Sequence, residues 1–212
     1  ASYRARYADL RSAFGNNLKA YYDHYRINGY AEGRVATGST ELQNPTTVYN
    51  GVDYKLVYDY NYYINKYPDI KAAFNGDENA TLRHFVECGM NEGRQGKASF
   101  NVAAYRANYA DLRSAFGRNL KAYYMHYIGS GYREGRKATG NGVLKNPVTV
   151  YNGVDYSLVY DYNYYISKYS DLKAAFYGDD TAALRHFVEC GMNEGRQAKD
   201  SFNVKKYKNR YN

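Results

Sequence analysis

Four histidines, His24, His84, His126 and His186, are all the histidine the chain has, and each stands at the same place in a recurring pattern. Imidazole suggests a metal ligand or a switch near neutral pH. One reaction centre has little use for four equivalent rings, so a structural ring is the reading taken here, bonded to a backbone carbonyl or to the Glu-Gly-Arg corner that follows. That corner recurs as Glu32/Arg34, Glu92/Arg94, Glu134/Arg136 and Glu194/Arg196. Its acid and base are expected to pair with neighbouring units or helix ends, and a direct binding role for the arginines is the sharper alternative. Cys88 and Cys190 occupy matched sites. Equivalent sites in stacked repeats rarely touch, so two buried free thiols are expected rather than a disulfide. No Ser-His-Asp order, G-x-S-x-G, H-E-x-x-H, P-loop or dinucleotide fingerprint occurs. The conspicuous acids are repeated, which suits helix caps better than a unique acid/base pair. The chain therefore reads as non-enzymatic, with no catalytic residue, no metal ligand and no cofactor.

Tyrosine is the unusual component: 29 Tyr stand beside 8 Phe and no Trp. Its large apolar ring with a polar tip can fill a core while the hydroxyl stays wet, or be displayed to a partner. The net charge is +8, spread along the chain. It would attract anionic polymers such as wall teichoic acids. There is no dense Lys/Arg run and no nucleic-acid motif, so a nucleic-acid partner is disfavoured. No apolar stretch is long enough to span a bilayer, so membrane insertion is not expected.

These residues are carried by a duplication. Residues 3–100 align with 105–202 at a constant offset of 102, with 75 identities in 98 positions and no gap. A weaker repeat at offset 60 lies inside each copy: Tyr3, Tyr7, Asp9, Leu10, Phe14, His24 and Arg34 match Tyr63, Tyr67, Asp69, Ile70, Phe74, His84 and Arg94. Four units follow, 3–34, 63–94, 105–136 and 165–196, joined by long connectors (35–62 and 137–164) and a short one (95–104). Two modules result, 1–100 and 101–202, with 203–212 starting a further repeat. Ala1-Ser2-Tyr3 enters a repeat part-way, as a fragment of a longer array would.

Local signals predict a mainly α fold of four three-helix units with two inserted β-hairpins. Asp59, Asn101, Asp161 and Asn203 are N-cap types four residues before each later unit. Pro68 should break the first helix after Tyr67, with Asp69 capping the next turn. Leu10, Ala13 and Phe14 mark a second helix that Gly15 ends. Leu18, Tyr21, Tyr22 and Tyr25 mark a third at helical spacing, with Gly29 as the residue just past its end and Gly33 supplying a special backbone angle. One unit is too small to bury its own faces, so neighbours should stack. In the long connectors, Asn50-Gly51 and Asn152-Gly153 between Thr, Val and Tyr predict hairpins with type I′ turns. Thr47, Tyr49, Val52, Tyr54 and Leu56 would share one face, as would Thr149, Tyr151, Val154, Tyr156 and Leu158. Such a face either packs on the helices or binds a partner.

The unit from Tyr105-Arg-Ala-Asn-Tyr109-Ala-Asp111-Leu112 to Glu134-Gly135-Arg136 resembles repeats in large surface proteins of gut commensal bacteria. The stretches Val150-Tyr151-Asn152-Gly153-Val154-Asp155-Tyr156 and Tyr165-Ile166-Ser167-Lys168-Tyr169 are similar to the same group. The resemblance covers nearly the whole chain. It implies an extracellular protein, secreted or attached to the cell surface. Some members of the group resemble superantigen-like proteins that grip immunoglobulin variable regions; others accompany wall hydrolases or adhesins. It thus implies an immunoglobulin (Fab variable region) partner, with a cell-wall or glycan partner as the alternative. The motifs mark a scaffold and carry no binding residue over. The residues themselves nominate the duplicated hairpin tyrosines Tyr49, Tyr54, Tyr151 and Tyr156. Arg6 and Arg26 are added because the copies differ there.

Overall fold

A computed structural model describes residues 1–74 and 76–211. The described chain is mainly helical with two small antiparallel hairpins, as the repeat pattern predicts. It forms two compact units. One is Ala1–Phe100 together with Tyr127–Tyr132; the other is Asn101–His126 with the chain from Arg133 onward.

The first unit contains α1 (Ser2–Arg6), α2 (Ala8–Phe14), α3 (Leu18–His24), β1 (Val48–Tyr49), β2 (Val52–Asp53), α4 (Tyr60–Lys66), α5 (Pro68–Phe74) and α6 (Glu78–His84). The corresponding series from residue 102 is α7 (Val102–Asn108), α8 (Ala110–Phe116), α9 (Leu120–His126), β3 (Val150–Tyr151), β4 (Val154–Asp155), α10 (Tyr162–Lys168), α11 (Ser170–Phe176), α12 (Asp180–His186) and α13 (Val204–Tyr211). Every third helix continues into a π-helical turn: Tyr25–Gly29, Phe85–Gly89, Tyr127–Gly131 and Phe187–Gly191. Helical spacing did not foretell these turns.

The caps are where the sequence puts them. Asp59 accepts the Tyr62 N–H at 2.8 Å, Asn101 that of Ala104 at 3.0 Å, Asp161 that of Tyr164 at 2.8 Å and Asn203 that of Lys206 at 3.1 Å. The break after the first helix has a different cause from the one expected. Tyr67 is extended (φ −121°) before Pro68, but Tyr7, Tyr109 and Tyr169 are extended too (φ −113°, −128° and −122°) with no proline following. All four tyrosine hydroxyls accept a backbone N–H just after the Glu-Gly-Arg corner, from Val35, Gln95, Lys137 and Gln197 at 2.6–2.9 Å. Each ring also lies under that corner's arginine, 4.7–5.0 Å from ring centroid to guanidinium. The helix breaks so that its last tyrosine can turn beneath the arginine.

That arginine is held by acids of its own unit. Arg34 grips Asp9 (2.9 Å) and Glu32 (2.6 Å), and Arg94 grips Asp69 (2.8 Å) and Glu92 (2.5 Å). Asp69 therefore serves as an arginine partner in the first turn of α5, rather than as a cap. Gly33, in the corner, has a positive φ of 70°.

The cores are built from tyrosine. Tyr58, Tyr60 and Tyr63 are fully buried in the first unit, as are Tyr160 and Tyr165 in the second, where Leu172, Leu184 and Phe187 pack with them. The hairpins adopt the predicted register, with Tyr49 opposite Val52 and Tyr151 opposite Val154. Asn50 and Gly51 both have positive φ (48° and 76°), the backbone a type I′ turn demands.

Candidate functional site: the hairpin tyrosines and the cleft beside them

Of the nominated hairpin tyrosines, Tyr49, Tyr151 and Tyr156 are half-buried and Tyr54 is not exposed. Tyr54 is 4% exposed and belongs to the core, so it is withdrawn as a binding residue. Its N–H closes the hairpin onto the Thr47 carbonyl at 2.8 Å, which turns its ring inward. Tyr151 and Tyr156 are both half-buried and pack against the Tyr160/Tyr165 cluster. The shared face packs in the first copy, whereas in the second Val154 and Leu158 of that face are exposed. The opposite face leaves Val48 and Val150 exposed.

Tyr49 and Tyr151 are half-buried. The Tyr49 hydroxyl donates to Glu87 at 2.5 Å, and that of Tyr151 to Glu189. Glu87 and Glu189 lie on the π turns that follow α6 and α12. The carboxylate acceptor favours the protonated phenol and raises each tyrosine above its ordinary pKa; Arg83 and Arg185 oppose this weakly. Sequence spacing could not have paired residues 38 apart.

In the first unit Tyr49 also borders an open cleft of about 400 Å³, walled by Val48, Arg83, Asn79, Asp77, Arg4 and Asn16. Arg4 is held there by Asn16 (3.0 Å) and the Gly76 carbonyl (2.9 Å). At the position of Asn16 the second copy has Arg118, which binds Asp179 at 2.7 Å and the Ala175 carbonyl at 3.0 Å. The two copies therefore offer the same tyrosine–glutamate pair in different polar settings.

The two nominated arginines part company. Arg6 is half-buried and binds the Thr37 carbonyl at 3.2 Å. Its counterpart Asn108 bonds the same connector, at Lys137 and Thr139. Arg6 thus ties a connector down. Arg26 is exposed on the first π turn and remains available.

Each histidine pairs with a tyrosine, where a backbone carbonyl or the Glu-Gly-Arg corner was expected. Nδ1 of His24, His84, His126 and His186 meets the hydroxyl of Tyr3, Tyr63, Tyr105 and Tyr165 at 2.9, 3.3, 2.9 and 3.1 Å. The π turn brings glycine onto that hydroxyl: a Cβ on Gly29 would lie 2.2 Å from Tyr3 Oη, and one on Gly89 2.7 Å from Tyr63 Oη. Gly29 is thus required for close approach, and not as a helix-ending residue. His84, Glu87 and Cys88 are three and four residues apart, yet among the described residues no group of three or more His, Cys, Asp or Glu could hold a metal ion. Cys88 and Cys190 are free and exposed, contrary to the burial expected, because the π turn carries them outward.

Comparison of the chain with protein-family models, with curated proteins and with solved structures finds no match. Among the described residues no helix is long and apolar enough to cross a membrane.

Proposed function

We propose that this chain is a non-enzymatic binding module displayed outside the cell, secreted or surface-attached, whose partner is the variable region of immunoglobulin Fab. One observation supports it above the rest: the Tyr49–Glu87 pair recurs as Tyr151–Glu189, each half-exposed at the tip of a short hairpin braced by a helix. Tyrosine presents a large amphipathic contact at low entropic cost and is favoured at protein interfaces. Two equivalent patches on one chain allow avidity toward a multivalent partner. The glycan or cell-wall reading draws on the cleft beside Tyr49, where Arg4, Asn16, Asn79 and Arg83 offer polar groups beside a ring, the mixture that sugar hydroxyls and sugar faces use.

The test is a titration of polyclonal Fab fragments, and of purified wall and polysaccharide, over immobilised chain. Fab should be retained, and the Tyr49→Ala/Tyr151→Ala double variant should release it while keeping the native circular dichroism and melting transition. Fab that flows through while polysaccharide is held moves the assignment to glycan. Retention by the folded double variant removes the hairpins from the site.

A further inference from the structure

The cleft beside Tyr49 is open for a reason that lies inside the repeat. Val48 at its mouth is 56% exposed and the matching Val150 is 53% exposed. Arg83 and Arg185 are both exposed, and Tyr49 and Tyr151 are both half-buried. The mouth is therefore alike in both copies. The polar wall differs. Asp77 and Asp179 cap their helices in the same way, each accepting an alanine N–H on Oδ1 at 3.0 Å. Asp179 also gives Oδ2 to Arg118 at 2.7 Å. The first copy has Asn16 in place of that arginine, and Asn16 accepts from Arg4 instead, at 3.0 Å. Asp77 thus keeps its second carboxylate oxygen for the cleft, and among the described residues it forms no ion pair. The basic groups divide likewise. Arg11 is locked to Glu78 at 2.7 Å, and Arg4 is tied to Asn16 and to the Gly15 and Gly76 carbonyls. Arg83 and Asn79, one turn apart on α6, stand exposed on the cleft wall. The Glu87 bond raises the Tyr49 pKa, and Arg83 is near enough to oppose it. Among the described residues Arg83 forms no ion pair.

We propose that this cleft binds a uronic acid residue of a glycan, with Arg83 on the sugar carboxylate, Asn79 and Asp77 on ring hydroxyls, and Val48 and the Tyr49 ring against the sugar face. The proposal rests on the glycan reading given above and names its sugar. The cleft of about 400 Å³ falls within the range of about 300–1,000 Å³ that small-ligand sites occupy. The planar fork of a guanidinium matches a carboxylate in two parallel hydrogen bonds. Asp77 decides between an acidic sugar and an acidic peptide. A sugar hydroxyl donates to it, whereas the second carboxylate of an acidic peptide is repelled by it. In the second copy Arg118 already occupies the matching oxygen, so the site belongs to the first copy.

The test is calorimetric titration of the full chain with glucuronic acid, glucose, a neutral polysaccharide and a glutamate-rich peptide. Glucuronic acid should bind at one equivalent per chain, and glucose at least about tenfold more weakly, the equivalent of one strong hydrogen bond lost. Arg83→Gln should weaken glucuronic acid about tenfold or more, and Arg185→Gln should leave it unchanged. Asn16→Arg, which imports the residue of the second copy, should weaken it as well by claiming Asp77. Circular dichroism and the melting transition establish that each variant is folded. Glucose bound as tightly as glucuronic acid overturns the proposal, as does an Arg83→Gln chain that binds as wild type. A second equivalent abolished by Arg185→Gln overturns the part given to Asn16 and Asp77. A glutamate-rich peptide bound more tightly than the sugar overturns it too and assigns the cleft to acidic protein. Neutral polysaccharide held while glucuronic acid is not sinks the acidic sugar and leaves the glycan reading standing. If no carbohydrate binds, both fall.

Discussion

Arg11 and Glu78, 67 residues apart, form a 2.7 Å ion pair in which the arginine side chain is only 2% exposed. The guanidinium also donates to the carbonyls of Arg4, Ala5, Gln43 and Asn44, and the other Glu78 oxygen accepts the Thr46 N–H at 2.7 Å. One side chain thus joins the first helix, the long connector and the start of α6. Arg113 and Asp180 repeat the device at 3.2 Å, with the carbonyls of Arg106, Ala107, Lys145 and Asn146 and the Val148 N–H.

Removing Arg11 strands a buried carboxylate and four carbonyls. Arg11→Ala should cost about 3–5 kcal/mol, the usual penalty for breaking a buried pair from one side. Arg11→Ala combined with Glu78→Leu should recover part of it, because the orphaned charge is gone. Urea unfolding measures both. A single variant losing under 1 kcal/mol, on the scale of exposed pairs, would show that the hub does not brace the unit.

The buried tyrosine hydroxyls divide into two kinds. Those of Tyr58 and Tyr160 have no hydrogen-bond partner, and burial pushes both far above the ordinary tyrosine pKa. Tyr58→Phe should leave stability unchanged or raise it by about 1 kcal/mol, since it deletes an unsatisfied donor. Tyr63→Phe should lower it by about 1 kcal/mol by unpairing His84. Gly89→Ala should cost about 1–3 kcal/mol through overpacking. Thermal melts of the three variants rank them, and the opposite order for Tyr58 and Tyr63 would refute this account.

Acid should erode the arginine corners. Asp69 is held below the ordinary carboxylate pKa chiefly by its bond from Arg94. At Asp9, Asp111 and Asp171 desolvation pushes upward, and the arginine and backbone bonds together outweigh it. A lowered folded pKa means the unfolded chain takes up protons first. This stabilisation is therefore complete above the unfolded value of about 4 and lost as pH falls through the folded value. The urea midpoint should be flat from neutral pH to about 5 and fall below 4. Replacing the four aspartates by asparagine should flatten that acid limb; an unaltered slope would place the titration elsewhere.

Cys88 and Cys190 should both react with an aromatic disulfide reagent in the native state, as fast as the exposure of each allows. Thiols that respond only after denaturation would mean that the π turns point them inward.

Much of the fold is legible locally. The caps at Asp59, Asn101, Asp161 and Asn203 and the positive φ of Asn50-Gly51 depend on atoms within a few residues. Composition and spacing report such short-range preferences. The π turns were not legible, because a helical spacing of apolar residues looks the same until Gly29 or Gly89 must approach a tyrosine hydroxyl.

The candidate site was legible only in part. Tyr49 and Tyr151 could be nominated from an aromatic hairpin face. The folding of that face decided that Tyr54 belongs to the core and that the Tyr49 and Tyr151 hydroxyls bond Glu87 and Glu189. Arg11 reads as one more basic residue on a short helix until Glu78 is brought to it across 67 positions.

The sequence by itself determined the repeat, its helices and turns, and a core made of tyrosine. Tertiary structure alone decided which tyrosines are hidden. Tyr22 and Tyr124 stand at matched places in copies that are alike nearly throughout, and one is open while the other is closed. Backbone preference is set by neighbours along the chain, but burial is set by what arrives from elsewhere, and identical local sequence cannot encode two different arrivals.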